Sequence, residues 1–199
     1  MSKKSIFYLF VFSAALFSTS AFAQGMYIAG SAGLGIPASS VKTDLDAALK
    51  AAGAANINTS IANGTSMDGT LGYAFNPNFA AEVGYFNSGT LAYSGTYTGA
   101  TIKTDIKVNG FRLAVVGIAP LSEQFSVFGK VGYGMFTTES AITVTKTASV
   151  SSSTSENKNS IGYGAGVMYK LVDNISLKAS YEMIASDVSA FLVGVQIKF

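Results

Sequence analysis

The stretch Ala190-Phe191-Leu192-Val193-Gly194-Val195-Gln196-Ile197-Lys198-Phe199 alternates between two kinds of side chain. Successive side chains of a strand point to opposite faces. One face of this stretch therefore carries Phe191, Val193, Val195, Ile197 and Phe199. The other face carries Gly194, Gln196 and Lys198. A strand that is apolar on one face, polar on the other and finished by an aromatic residue is typical of the closing strand of a bacterial outer-membrane barrel.

Seven further segments show the same alternation and are separated by turn signals. Each has one face without charge, as expected for a surface in contact with lipid. The pattern predicts an all-β fold, an eight-stranded antiparallel up-and-down transmembrane β-barrel with a filled polar interior. The eight predicted strands lie near residues 25–36, 66–75, 79–87, 106–119, 125–138, 160–170, 175–185 and 190–199.

Nearly all the charge in these strands falls on the opposite, inward faces, among Gly, Ala, Ser and Thr. An eight-stranded barrel has a bore only wide enough for side chains, so these charges have to neutralise one another. We predict an interior ion network with two levels, Glu82, Lys130 and Lys178 at one depth and Asp68, Arg112 and Glu182 further along.

A soluble β-sandwich is the main alternative fold, because it shows the same alternation with the apolar face turned inward. Two features count against it: the polar faces are rich in Gly and Ala, and the connections alternate in length. Short turns at 76–78, 120–124 and 171–174 alternate with long connections at 37–65, 88–105 and 139–159. Short periplasmic turns and long external loops are the asymmetry of a membrane barrel.

Two of the long connections have recognisable content. Residues 41–53 alternate with helical spacing and end in a glycine, which predicts a short amphipathic helix that caps the barrel mouth or rests on lipid headgroups. A partner-binding role for this helix is the alternative. Residues 143–159 are a Ser/Thr tract, which we interpret as a mobile solvated loop.

The amino terminus predicts export. A charged start at Lys3 and Lys4, an apolar run over 6–17 and Ala21-Phe22-Ala23 form a Sec signal peptide over 1–23, cleaved before Gln24. The apolar run of about 12 residues is short of the ~20 that a membrane helix needs. We expect one barrel domain over 24–199 with no appended periplasmic domain, located in the bacterial outer membrane.

The chain has no His and no Cys, which removes His-dependent hydrolases, thiol chemistry and His-ligated metals. Acid pairs such as Asp68 and Glu182 are better explained as partners of the interior cations. A net charge of +2 and the absence of a basic cluster give no reason to expect nucleic acid as a partner. We therefore expect no enzyme activity and no catalytic, cofactor-binding or metal-binding residues.

The chain resembles the small OmpA/OmpX-like outer-membrane β-barrel family. The resemblance rests on Gly25-Met26-Tyr27-Ile28-Ala29-Gly30, on the run 128–134, and on the closing stretch 193–199. It implies that Phe199 and its alternating partners are read by the outer-membrane assembly machinery. It also implies that Glu82, Arg112 and Lys130 join an interior polar network. The family includes adhesins, structural barrels and narrow channels, so the resemblance leaves the function open.

Two functions follow from these patterns. The leading hypothesis is a non-enzymatic structural anchor that presents its long loops for envelope integrity or for contact with a surface or host ligand. Its expected partners are outer-membrane lipid, lipopolysaccharide and the assembly machinery. The alternative is a narrow channel for ions or small solutes, favoured by the many small interior residues such as Gly72, Gly84 and Gly132.

Overall fold

The computed structural model describes residues 25–51, 53–97, 99–146 and 148–199, without the side chain of Tyr97. The predicted signal peptide over 1–23 and its cleavage site before Gln24 lie outside the described residues. Within the described part, no helix is long and apolar enough to cross a membrane. The elements, in chain order, are β1 (Met26–Pro37), α1 (Ser39–Ala51), β2 (Asn58–Ala62), β3 (Gly64–Asn76), β4 (Phe79–Asn87), β5 (Leu91–Tyr97), β6 (Ala100–Pro120), β7 (Phe125–Thr145), β8 (Ser149–Val172), β9 (Ile175–Ala185) and β10 (Val188–Lys198).

Eight of the ten strands close into a ring. Its order is β6-β4-β3-β1-β10-β9-β8-β7, and pairing of β6 with β7 completes the circle. All of these pairs are antiparallel. The first and last strands meet in a register that sets Ile28 opposite Ile197 and Leu34 opposite Phe191. The predicted eight-stranded antiparallel barrel is thus confirmed.

The remaining two strands, β2 and β5, extend the sheet beyond one end of the ring. β5 pairs with β6 beyond the end of β4, with Leu91 opposite Ile106, and β2 pairs in turn with β5. Gly89 lies in the break between β4 and β5 with a φ of 66°. A side chain there would meet the backbone oxygen of Thr65 at 2.2 Å, so only glycine fits this break.

Two of the three long connections predicted as loops are largely strands. The prediction for 88–105 is wrong because β5 and the start of β6 occupy it. The prediction of an irregular loop over 143–159 is wrong, because β7 and β8 continue as one paired hairpin as far as Thr145 and Ser149. Hydroxyl groups join this hairpin across the strands, as between Thr143 and Ser151 at 3.2 Å. A strand with water on both faces needs a neighbouring backbone, not apolar alternation.

The helix predicted over 41–53 is present as α1, Ser39–Ala51. The amide of Gly53 donates to the carbonyl of Lys50 at 2.9 Å, and that of Ala54 donates to the carbonyl of Leu49 at 3.0 Å. Gly53 has a φ of 84°, the left-handed conformation that commonly ends a helix. α1 and the long hairpins lie at one end of the barrel, called here the long-hairpin end. The opposite end, built from the turns at 77–78, 121–124 and 173–174, is the short-turn end.

The outside of the ring is apolar. Large hydrophobic side chains stand exposed on every ring strand, with Phe111, Leu113 and Val115 on β6 as an example. Exposed aromatic residues lie near both rims, as expected where a barrel meets the two membrane interfaces. They are Phe75, Phe79, Phe125, Tyr169 and Phe199 toward the short turns, and Tyr85, Phe111, Tyr133, Tyr163, Tyr181 and Phe191 toward the long hairpins.

Candidate functional site

The six charged residues predicted to face inward form one chain of alternating sign across the bore. Arg112 bonds Asp68 at 2.8 Å through one guanidinium nitrogen and Glu182 at 2.5 Å through the other. Lys130 lies 2.7 Å from Glu182 and 3.7 Å from Glu82. Lys178 follows, 3.3 Å from Glu82. Lys130 therefore joins the two levels that the sequence distinguished, and three acids balance three bases.

Three hydroxyl groups, which the charge pattern did not predict, also donate hydrogen bonds to the network. Tyr27 donates to Glu82 at 2.9 Å, Ser180 donates to Glu182 at 2.8 Å, and Thr70 donates to Asp68 at 3.0 Å. All three are buried. The signal was available, because Tyr27 has the inward position between the outward residues Met26 and Ile28. These hydrogen bonds satisfy lone pairs that ion pairing alone leaves open, which a buried carboxylate requires.

Apolar side chains seal the network on both sides. Toward the long-hairpin end they form the upper layer, Phe86, Leu91, Val108, Phe136, Ile184, Val188, Ala190 and Leu192. Toward the short-turn end they form the lower layer, Tyr27, Ala80, Val116 and Phe128. The ring of Phe128 also lies 4.8 Å below the ammonium group of Lys178. The interior is filled, as predicted, with the ion network held between two layers of apolar side chains.

Little space remains inside. A cavity of about 20 Å³ lies between the network and the upper layer, lined by Arg112, Lys130 and Glu182 on one side and Phe136 and Ile184 on the other. That volume is close to what one water molecule needs. Below the lower layer, a vestibule of about 400 Å³ opens at the short-turn end. The network and both apolar layers separate this vestibule from the long-hairpin end.

Beyond the upper layer, five strands form what is called here the hairpin wall: β2, β5 and residues 100–106, 137–145 and 149–160 of β6, β7 and β8. Residues 149–160 pair with β7 along one edge. On their other edge no strand of the described chain pairs with them, because β9 joins β8 only from Tyr163 onward. The neighbouring β9–β10 hairpin turns at Ser186 and Asp187, so the wall is open on that side. The wall therefore offers a row of unpaired backbone groups.

Helix α1 is held to the wall through one carboxylate. Asp46 accepts hydrogen bonds from Lys42 and Thr59, both at 2.6 Å, and from Tyr93 at 2.7 Å. These bonds, that from Lys42 first, lower the pKa of Asp46 to about 2. Burial and the bond to Asp46 raise the pKa of Tyr93 to about 12. Asp46 is consequently ionised, and Tyr93 protonated, across the physiological pH range.

The interior carboxylates are all engaged in ion pairs or hydrogen bonds within the described residues. No cluster of three or more His, Cys, Asp or Glu able to hold a metal occurs within the described residues. The ion network closes the bore, and its ion pairs connect side chains from β3, β4, β6, β7 and β9.

The residues predicted as an assembly signal lie together on β10, facing outward. Phe191, Val193, Val195 and Phe199 are exposed, and Ile197 is half-buried. The strand they belong to closes the ring against β1. This position gives the outward face of β10 the same lipid-facing character as the rest of the ring.

A family model fits this closed ring. The model of the outer membrane protein beta-barrel domain matches residues 9–199, nearly the whole chain. The chain belongs to this outer-membrane β-barrel family. Its location is therefore the bacterial outer membrane, as the sequence predicted. No curated protein matches the chain.

Solved structures with the same fold include Neisserial surface protein A and Ail. Neisserial surface protein A is 17% identical, with a TM-score of 0.56 over 88% of this chain and 98% of that chain. Ail, the attachment invasion locus protein of Yersinia pestis, is 17% identical, with a TM-score of 0.50 over 88% of this chain and 99% of that one. That Ail structure is a complex with the heparin analogue sucrose octasulfate. At this identity the likeness concerns the fold.

Proposed function

We propose that this member of the outer-membrane β-barrel family is a non-enzymatic anchor that presents the hairpin wall and α1 to the environment. The observation that carries the proposal is that the barrel is closed inside but extends far beyond the ring at one end. The bore is filled by the ion network and sealed by two apolar layers. The strands on one side nevertheless continue beyond the ring as an ordered polar wall. A closed bore with a large external surface suits contact, not passage.

The long-hairpin end faces outward in this proposal. Short turns on the periplasmic side and long external segments are the usual orientation of bacterial barrels. The wall residues 149–160 are dominated by Ser, Thr and Asn, with Glu156 and Lys158 as their charges. Such a surface is compatible with water and with a polar partner. The proposed roles are envelope integrity and contact with a surface or host ligand.

The chain has no cysteine, which allows a clean test of orientation. Ser153→Cys places a thiol on the wall, and Asp173→Cys places one in the β8–β9 turn, where the side chain is fully exposed. Intact cells that produce each variant are treated with a membrane-impermeant maleimide. We expect Ser153→Cys to react in intact cells and Asp173→Cys to react only after permeabilisation. The parent chain is the control for background labelling.

The reverse labelling pattern would contradict the proposed orientation. Labelling of both positions in intact cells would mean that the envelope had been breached, which the parent strain's own periplasmic markers would reveal. A heat-modifiable gel shift identifies the folded fraction of each variant before labelling.

A narrow channel is the second candidate. The water-sized cavity beside Arg112 and the open vestibule below the lower layer favour it. Passage would need displacement of both apolar layers and exchange of ion-pair partners around Lys130. The bore of an eight-stranded barrel is normally filled, so we rank this function below the anchor.

Single-channel recording of refolded residues 24–199 in planar bilayers separates the two candidates. The anchor predicts silence from the parent protein and from Arg112→Ala. Reproducible steps that change in size in Arg112→Ala would replace the anchor with the channel.

We also propose that the lipid-facing band binds outer-membrane lipid and lipopolysaccharide, and that the outward face of β10 is the assembly signal. The exposed aromatic residue Phe199 at the rim supports this role. Phe199→Asp is expected to lower the folded, heat-modifiable fraction in cells, while Lys198→Gln on the opposite face leaves it unchanged. Equal folded fractions would count against the signal.

A further inference from the structure

The vestibule at the short-turn end is lined by several polar side chains, among them Ser126, Ser176 and Gln196, that make no side-chain hydrogen bond within the described residues. Its volume is about 400 Å³, and its rim includes Pro77, Pro120 and Glu123 from two of the short turns. Its closed end is Tyr27, in the lower layer. The space is therefore a blind pocket within the barrel wall, of a size that small-molecule sites commonly have.

Gln196 is the most enclosed of these side chains. It lines the vestibule and is 4% exposed. It lies opposite Ala29 on one neighbouring strand and Ser176 on the other. Within the described chain, no hydrogen bond involves its side-chain amide. A mostly buried amide is stabilised by a hydrogen-bond partner, which in this open pocket is water or a ligand that replaces it.

Two hydroxyl groups stand around the same level without side-chain partners in the described residues. Ser176 pairs directly with Gln196 on the adjacent strand, and Ser126 faces the space from β7. Apolar groups, Ile118 and Met168, line the same space. The level thus offers hydrogen-bonding groups beside an apolar surface, which is the usual composition of a binding pocket.

The charge of the pocket favours an anion. Lys170 and Lys198 line it, against one acid, Glu123. Lys170 also has Asp173 at 3.7 Å, but Asp173 points into solvent. Lys198 lies on β10 two residues from Gln196, hence on the same face. An ammonium group near the rim and an unpaired amide deeper in the pocket can be bridged by one short polar ligand.

We infer that the vestibule binds the carboxylate end of a short peptide from the periplasmic side. The carboxylate lies against Lys198 and Lys170, a peptide amide pairs with Gln196, and small side chains contact Ile118 and Met168. The periplasmic location of this pocket rests on the proposed orientation of the barrel, whereas the pocket itself does not. The same chemistry is offered by free peptides and by the peptide stems of the cell wall.

Trialanine is the probe, titrated into the refolded full barrel in micelles by calorimetry and by NMR of the Gln196 side-chain amide. We expect saturable binding of trialanine and at least tenfold weaker binding of trialaninamide, which lacks the carboxylate. Lys198→Met, Gln196→Leu and Gln196→Glu should each weaken binding in the calorimetric titration. Lys107→Met, on β6 at the long-hairpin end, is the matched control and should leave binding unchanged.

Absence of saturable binding, or equal binding of acid and amide, would overturn the inference. So would full affinity in both Gln196 variants, each shown to be folded by its gel shift. Gln196→Glu guards against misfolding of the leucine variant, because it keeps a polar group in the pocket. Co-sedimentation with purified sacculi, competed by trialanine, assigns the ligand to the cell wall, and its failure alongside trialanine binding assigns it to free peptides. The maleimide test of orientation fails or succeeds independently, since these titrations use isolated protein.

Discussion

Glu182 has three side-chain partners in the bore. Its two oxygens serve Arg112, Lys130 and Ser180, which come from three different ring strands. The residue is buried, so water does not replace a lost partner. A charge left unpaired in such a place is far more costly than the pair was stabilising.

Glu182→Gln should therefore destabilise the barrel strongly. The amide keeps the shape but leaves Arg112 and Lys130 short of one negative charge. We expect a loss of about 3–5 kcal/mol in the free energy of unfolding, measured by urea titration of the refolded barrel in lipid vesicles.

Glu156→Gln is the control for that substitution, because Glu156 pairs with Lys158 at 3.5 Å on the exposed wall. Its effect should stay within about 0.5 kcal/mol. Similar losses in the two variants would mean that the interior network does not act as a buried one.

Asp46 gives the attachment of α1 a defined acid limit. Its pKa is lowered from 3.8 to about 2, so the ionised form is favoured when the helix is docked. The stabilisation is complete above about pH 4 and is lost as the pH falls through about 2. Amide exchange of residues 39–51 should remain slow at pH 4 relative to the undocked variant Asp46→Ala, and lose that difference near pH 2.

Lys42→Met should shift this loosening to higher pH, because the bond from Lys42 is the largest cause of the lowered pKa. Asp44→Asn, in the same helix and exposed, should leave it unchanged. Loosening of the parent helix already at pH 5 would contradict the assigned role of Asp46.

Among the elements, β8 combines two environments in one strand. Residues 163–170 have neighbours on both sides, whereas 149–160 have β7 alone. Successive amides of a strand point to opposite edges. Over 149–160 we expect alternate amides to exchange slowly and the intervening ones rapidly, with uniform protection over 163–170.

NMR-resolved amide exchange of the refolded barrel tests this alternation. The paired β7 positions 137–145, which have neighbours on both sides, are the internal control. Uniformly fast exchange over 149–160 would restore the mobile loop that the Ser/Thr composition suggested.

This strand also shows how far the sequence can be interpreted. The ring strands were predictable because lipid on one side and a narrow bore on the other force alternation, as in residues 190–199. Residues 149–159 of the wall are exposed on both faces, so nothing there forces alternation, and only pairing with β7 keeps them extended. The inward charges followed from position alone, whereas the individual pairs, such as Lys130 with Glu182, depend on strand register and side-chain reach. Phe128 and Phe136 occupy inward positions next to Lys130 and Gly134, so their role could have been inferred.

On the scale of the whole molecule, closure has three consecutive parts: the upper layer, the ion network and the lower layer. Loss of one part leaves the others in place. We expect Phe136→Ala and Phe128→Ala to remain silent in planar bilayers, since each opens only one layer. The double variant leaves the network as the last barrier and should conduct intermittently if a wet path around Lys130 can form.

Each phenylalanine-to-alanine change should cost about 3–5 kcal/mol, so the gel shift must first show a folded protein. Conductance in either single variant would mean that the layers do not act in series. Phe111→Ala, on the outside of the ring, is the control for a lost aromatic ring.

The interior charges come as three of each sign with shared partners, and this has an evolutionary consequence. A change that neutralises Glu182 leaves two cations, Arg112 and Lys130, without their shared partner. Such mutations should therefore persist only together with compensating mutations elsewhere in the chain. Substitutions on the water-facing wall leave no buried charge unpaired and therefore cause no comparable loss of stability. Among descendants of this gene, the bore should therefore change rarely and in correlated sets, while the wall drifts one residue at a time.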